Sequence, residues 1–297
     1  MKSNDLFKNK MKRREVLQKG LAGMGIAGLA GATLAPSMFG RIAEAQALAA
    51  ANGKILVVLE LSGGNDGLNT VVPYGDDAYY RHRPEIGLPK NDLRILDDHF
   101  GLNPGMAGFE NLYKDGKMAI VHGCGYENPS FSHFTSMAYW HTAAPNSGEE
   151  YGWVGRLADD MEPSAPSNFV VNIASRQSLA VRSEQHVPVV FDQPNRFMRE
   201  AFHEEKDALA QVPDVGEVEN PSRRFLQDIA RSANDASALV RQAWSNYRSP
   251  VDYGVNSLDL PKVVSLIDAG MPTKLYYVSY RNNAFDTHVF QNNVHRR

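Results

Sequence analysis

The stretch Ile55–Leu61 (ILVVLEL) constrains the fold of this chain more than any other. It is apolar almost throughout, with β-branched Ile55, Val57 and Val58, and ends at Gly63-Gly64. A strand with one wet face would alternate apolar and polar residues. A continuous run is the mark of a strand covered on both faces, as in a parallel sheet. Met118–His122 (MAIVH), Phe169–Ile173 (FVVNI), Val187–Phe191 (VPVVF) and Lys274–Tyr280 (KLYYVSY) read the same way. Helical patterns lie between them. One is expected over Pro221–Tyr247, with Asn220 as cap and Pro221 in its first turn. Another is expected over Ser257–Ala269, stopped by Gly270, and Gln211–Asn220 reads as a surface connection. Strands alternating with helices imply an α/β sheet covered on both faces.

The first 45 residues stand apart from that fold. Lys12-Arg13-Arg14-Glu15-Val16-Leu17 precedes a weakly hydrophobic, glycine-rich run, Gly20–Phe39. Ala43-Glu44-Ala45 follows with the small-x-small pattern of a cleavage site. This is the form of a twin-arginine export signal, so 1–45 is expected to be removed and 46–297 to carry the fold. The expected partner is the twin-arginine machinery, and the expected location is periplasmic or extracellular. The apolar run is long enough for a membrane anchor, but Pro36 and its glycines favour the signal, and no permanent span is expected. The signal holds eight Lys and Arg against Asp5, Glu15 and Glu44. With a net charge of −3 for the whole chain, the remainder is mildly acidic, which argues against nucleic-acid binding. Cys124 is the single cysteine, consistent with folding in a reducing cytoplasm before transport, and it reads as a small buried residue.

Three clusters at strand ends carry candidate chemistry, where open α/β sheets place their sites. The first is Ser62-Gly63-Gly64-Asn65-Asp66-Gly67-Leu68-Asn69. Asp66 offers a hard oxygen ligand; a loop built only for its geometry accounts for the same residues. The second is Asn128-Pro129-Ser130-Phe131-Ser132-His133-Phe134. With Asn128 as cap and Pro129 in a first turn, Ser130 and Ser132 would stand among free N–H groups, where a serine can attack a phosphate or sulfate ester. His133 would be a ligand or proton carrier; the alternative is helix capping by the serines and a core role for His133. The third is Phe285-Asp286-Thr287-His288, with Gln291 and His295 behind it. An Asp-x-His pair with a further histidine suits zinc or a similar divalent ion. A capping aspartate with solvated histidines is the competing reading. Tyr139, Trp140 and Trp153 read as core aromatics.

The export signal, LSGGNDGLNTVVPYGDDAYYRHRPEIGL (Leu61–Leu88), FGLNPGM (Phe100–Met106), NPSFSHF and FDTHVFQ together resemble the exported proteins of domain-of-unknown-function family 1501. The resemblance runs from the signal to the last residue. That family is similar in fold to the alkaline-phosphatase and sulfatase superfamily, which implies a three-layer α/β/α sandwich with divalent metal at the strand ends. It implies Asp66, Asp286, His288 and His295 as metal ligands, and Ser130, Ser132 and His133 as the catalytic segment. A small anionic ester would be the substrate. The implied activity is metal-dependent hydrolysis of phosphate or sulfate esters; the alternative is a binding or assembly protein that keeps the fold without the chemistry. Two departures bear on this. Phe131 stands where relatives carry an arginine. The family also continues with a further strand and an Asp-His-Gly segment, whereas this sequence ends at Arg297. The resemblance thus implies a domain truncated at its C-terminus and, as one alternative, an inactive one.

Overall fold

The computed structural model describes residues 53–165, 167–197, 236–254, 257–280, 285–287 and 291. Its centre is a parallel sheet of four strands in the order β1 (Leu56–Glu60), β7 (Leu275–Ser279), β5 (Val170–Ile173), β6 (Val189–Phe191). Leu56 lies opposite Leu275, and Val170 pairs with the same Leu275 from the other side. All four residues of β5 and the first four of β7 are buried. This is why both read as unbroken apolar runs. The mixed α/β architecture with a parallel sheet follows as expected.

Successive residues of a strand point to opposite faces, and the packing divides that way. Val171, Ile173, Tyr276 and Val278 join one core with Val240 and Ala243 of a helix over 236–246 and with Val263 and Leu266 of α7 (Leu260–Asp268). Val170, Leu275 and Tyr277 join the other with Val154, Leu157 and Ala158 of α5 (Trp153–Met161). The 236–246 helix is α6 here. Asn172, fully buried in β5, has both ends of its amide satisfied: it donates to the Tyr277 carbonyl (3.1 Å) and accepts from the Ser178 N–H (2.8 Å). Helix α5 enters so close to the short turn Leu179–Val181 that a Cβ on Gly152 would stand 2.0 Å from the Ala180 carbonyl oxygen. Only glycine fits there.

The sequence offers no warning of a second, antiparallel sheet of three short strands, β2 (Val71–Val72), β4 (Gly101–Leu102) and β3 (Arg94–Ile95). It covers a small core of Val72, Tyr74, Tyr79, Leu88 and Leu93. Helices α1 (Gly67–Thr70) and α2 (Asp77–His82) belong to the same region, and α3 (Ala107–Lys114) follows it.

Several expectations need correction. Met118–His122 forms no strand and pairs with none among the described residues; Val121 and His122 are exposed, and the His122 ring stacks on Phe100 at 4.3 Å. Apolar composition makes a run able to pair, but a strand also requires a neighbouring edge within bonding reach. β6 begins at Val189 because Pro188 has no N–H to give to a ladder. The expected helix over Ser257–Ala269 runs from Leu260 to Asp268, with left-handed Gly270 (φ 71°) just beyond its end. Of the expected Pro221–Tyr247 helix, residues 236–246 are helical; 221–235 and Gln211–Asn220 lie outside the described residues. Among the described residues no helix is long and apolar enough to cross a membrane.

Candidate functional site

Strand β1 runs into Gly63 and Gly64, whose φ values of 100° and 88° turn the backbone sharply. Asp66 then caps α1, its Oδ1 accepting from the Asn69 N–H at 3.2 Å. Its Oδ2 accepts from Arg83 Nη1 at 2.7 Å and from the Gln291 amide. The two charged side chains are 7% and 18% exposed, so the pair is largely out of water. Arg83 Nη1 also reaches Asn69 Oδ1 (3.2 Å), which accepts from the Tyr79 hydroxyl (2.8 Å); that hydroxyl in turn accepts from the Leu88 N–H (2.8 Å). Asp66, Asn69, Tyr79, Arg83 and Leu88 of the long motif thus share one polar network, which Gln291 and Asn103 join from outside it.

In the second cluster the helix begins later than expected. Asn128 is left-handed (φ 54°), Ser132 is the cap, and α4 spans His133–Thr142. A capping residue needs an extended backbone and a side-chain oxygen, which Ser132 supplies; its Oγ faces the Thr135 N–H at 3.5 Å. Ser130 Oγ accepts from the Ser132 N–H at 3.1 Å. Both serines therefore do turn-forming work at the mouth of the helix. Phe131 and Phe134 are 99% and 88% exposed.

The third cluster joins the other two. The Phe285 N–H donates to the Ser62 carbonyl at 3.1 Å, fastening the chain after β7 beside the end of β1. Asp286 Oδ1 lies 3.4 Å from His133 Nε2, and Gln291 reaches Asp66. His288 and His295 lie outside the described residues. The three segments singled out in the sequence therefore meet at the carboxyl ends of β1 and β7. An open cleft of about 630 Å³ lies there, lined among others by Asp66, Arg83, His122, Cys124 and Gln291. Cys124 is exposed rather than buried, because the segment that carries it joins no strand ladder. Trp140, expected in the core, is 54% exposed.

Behind this junction lies a group that sequence reasoning missed. Glu60 closes β1 and accepts from Ser62 Oγ (2.8 Å) at Oε1, and from His141 Nε2 (3.0 Å) and the Tyr277 hydroxyl at Oε2. Burial works to raise the pKa of this carboxyl. The hydrogen bonds from His141, Tyr277 and Ser62, with the charge of His141, outweigh it and hold the group below the ordinary carboxylate range. Burial, the Glu60 charge and the hydrogen bond to it push the Tyr277 hydroxyl well upward. The available signal was Glu60 itself, the sole charge inside ILVVLEL.

The donors fit a divalent ion unevenly. Both oxygens of Asp66 already accept from donors, one of them a guanidinium that would repel a cation. Asp286 and His133 combine a carboxylate and an imidazole, a pair that zinc-like ions take. Among the described residues no three of His, Cys, Asp and Glu gather as a metal group. No family model, no curated protein and no solved structure matches this chain.

Proposed function

We propose that the cleft at the ends of β1 and β7 is the functional site of an exported hydrolase of small phosphate or sulfate esters, built on an alkaline-phosphatase-like three-layer sandwich. The observation that carries this reading is the approach of Asp286 to His133 at 3.4 Å. It joins two segments far apart in sequence, each independently suited to such chemistry. Asp286 and His133, with His288 from the same segment, are the residues that would hold a divalent ion. Such an ion, when bound, polarises an ester and steadies charge on its oxygens. Ser132 and Ser130, just before His133, supply the hydroxyls, and the positive end of the α4 dipole favours an anionic substrate. Asp66 has the role of an anchor in this scheme, neutralised by Arg83 and tied to the third segment by Gln291.

Equilibrium dialysis of the full chain with zinc, followed by turnover of an aryl phosphate and an aryl sulfate, tests the reading. Wild type is expected to bind zinc and to turn over one of the two esters. Asp286→Asn and His133→Gln should each lower both metal occupancy and rate by more than tenfold. A chain that binds no zinc, manganese, magnesium or calcium, and turns over neither ester, has a different function; a binding protein on the same fold is then the reading that remains.

A further inference from the structure

Glu60 takes its partners from separate parts of the fold. Tyr277 lies on β7, His141 on α4 and Ser62 on the loop after β1. Each of these elements leads to one of the groups at the junction beside the cleft. β1 leads to Asp66, β7 to Asp286, and α4 carries His133 in its first turn and His141 in its last. An ionised carboxylate only accepts, so His141 Nε2–H and the Tyr277 hydroxyl both point inward to the same oxygen. The arrangement has the form of a hub with three spokes.

We propose that Glu60 is a positioning residue of the cleft: its carboxylate holds α4 and β7 against β1 and so sets the approach of His133 to Asp286. The proposal deepens the reading of that cleft as the functional site and rests on it for its significance. Other groups around the hub are already engaged. Ser178 faces the Tyr277 hydroxyl from the turn that follows β5. Arg156, on α5, donates to the Thr142 carbonyl beside His141 (2.7 Å) and to the Tyr151 carbonyl, with Glu149 3.8 Å away. Tyr277, pushed upward, stays a donor through the neutral range. Loss of the Glu60 charge in acid therefore weakens the hold of the carboxyl on both donors, which then face a neutral group.

The amide NMR spectrum of the full chain tests this without any need for turnover. In an Asp286→Asn background, where the carboxyl inside the probe segment no longer titrates, the His133–Thr135 and Phe285–Thr287 signals should move together in one acid transition centred below the ordinary glutamate range. With Glu60→Gln added to that background, the shared transition should vanish. His141→Gln should displace the His133–Thr135 signals most, and Tyr277→Phe the Phe285–Thr287 signals most; these two variants serve also if Glu60→Gln does not fold. The proposal is overturned if the shared transition persists in Glu60→Gln. It is equally overturned if the His141 and Tyr277 variants disturb both segments alike, as loosened packing would. Failure to bind metal or turn over ester would remove the functional reading and leave these shifts as they are.

Discussion

Replacing Arg83 by methionine is the sharpest test of how the cleft is held. Methionine keeps most of the side-chain volume and removes the charge. Asp66, 7% exposed, would keep only the Asn69 N–H and the Gln291 amide as donors. Removing one partner of a fully buried ion pair costs about 3–5 kcal/mol. Arg83 retains 18% exposure, so water relieves part of that cost and about 2–3 kcal/mol is expected. Asp66→Asn should cost less, about 1–2 kcal/mol, because an amide oxygen still caps α1. The double variant has no stranded charge, and its cost should fall short of the sum by about 1–2 kcal/mol. Urea denaturation at pH 7, followed by circular dichroism, reads all four corners of the cycle. The zinc affinity of each variant adds a functional corner: Asp66→Asn should bind zinc as wild type does. A fully additive cycle, or an Arg83→Met cost under about 0.5 kcal/mol, would refute the view that Asp66 is an anchored, desolvated carboxylate.

Four other outcomes are expected. Among the described residues the buried Tyr276 hydroxyl has no hydrogen bond of good geometry, Thr273 standing near it with its own hydroxyl given to the Asn168 carbonyl, so Tyr276→Phe should raise stability by about 1 kcal/mol; a loss in the urea midpoint would show a partner for that hydroxyl. Gly152→Ala should prevent folding or cost more than about 3 kcal/mol, since its Cβ meets backbone carbonyls at 2.0 and 2.1 Å. Gly108→Ala, in a helix with nothing within 4 Å, should gain about 0.5–1 kcal/mol in the same assay, and equal effects at the two glycines would contradict the packing of α5. The Glu60 carboxyl has a depressed folded pKa, so its contribution is present above its unfolded value and is lost as pH falls through the folded one. The stability gap between wild type and Glu60→Gln, about 2 kcal/mol at pH 7, should therefore close on acidification, and a gap that widens in acid would refute the assignment.

The parts of the fold that were legible are those that depend on burial alone. FVVNI and KLYYVSY became β5 and β7, because a strand covered on both faces must be apolar on both. ILVVLEL also became a strand, β1, but it stands at the edge of the described sheet with Leu56 and Val57 exposed, so the buried position expected for it is not found. MAIVH carries the same local pattern yet forms no strand and is exposed or half-buried, since pairing depends on which edge lies beside it, and composition holds no record of that. The short antiparallel sheet went unseen because two-residue strands are too brief for any periodicity. Of the segments singled out in the sequence, those that carry Asp66, His133 and Asp286 meet in the fold. The sequence could not reveal the partners. Arg83 beside Asp66, or His141 and Tyr277 on Glu60, are contacts made by the tertiary fold between residues that look ordinary in line. Ser130 and Ser132 show the ambiguity at its plainest, for the hydroxyl that suits a nucleophile also suits a helix cap.

The position of β7 between β1 and β5 has a consequence for synthesis. Both of its neighbours leave the ribosome long before it does, and neither can pair with the other. Until Leu275–Ser279 emerges, the nascent chain carries two strands with unbonded edges and a half-formed core. Folding must therefore finish after most of the chain has been made, through contacts that close very long loops, which is slow. A ribosome-stalled chain ending before Leu275 should be protease-sensitive throughout, and one extended well beyond Ser279 should gain protection in β1 and β5 at the same moment.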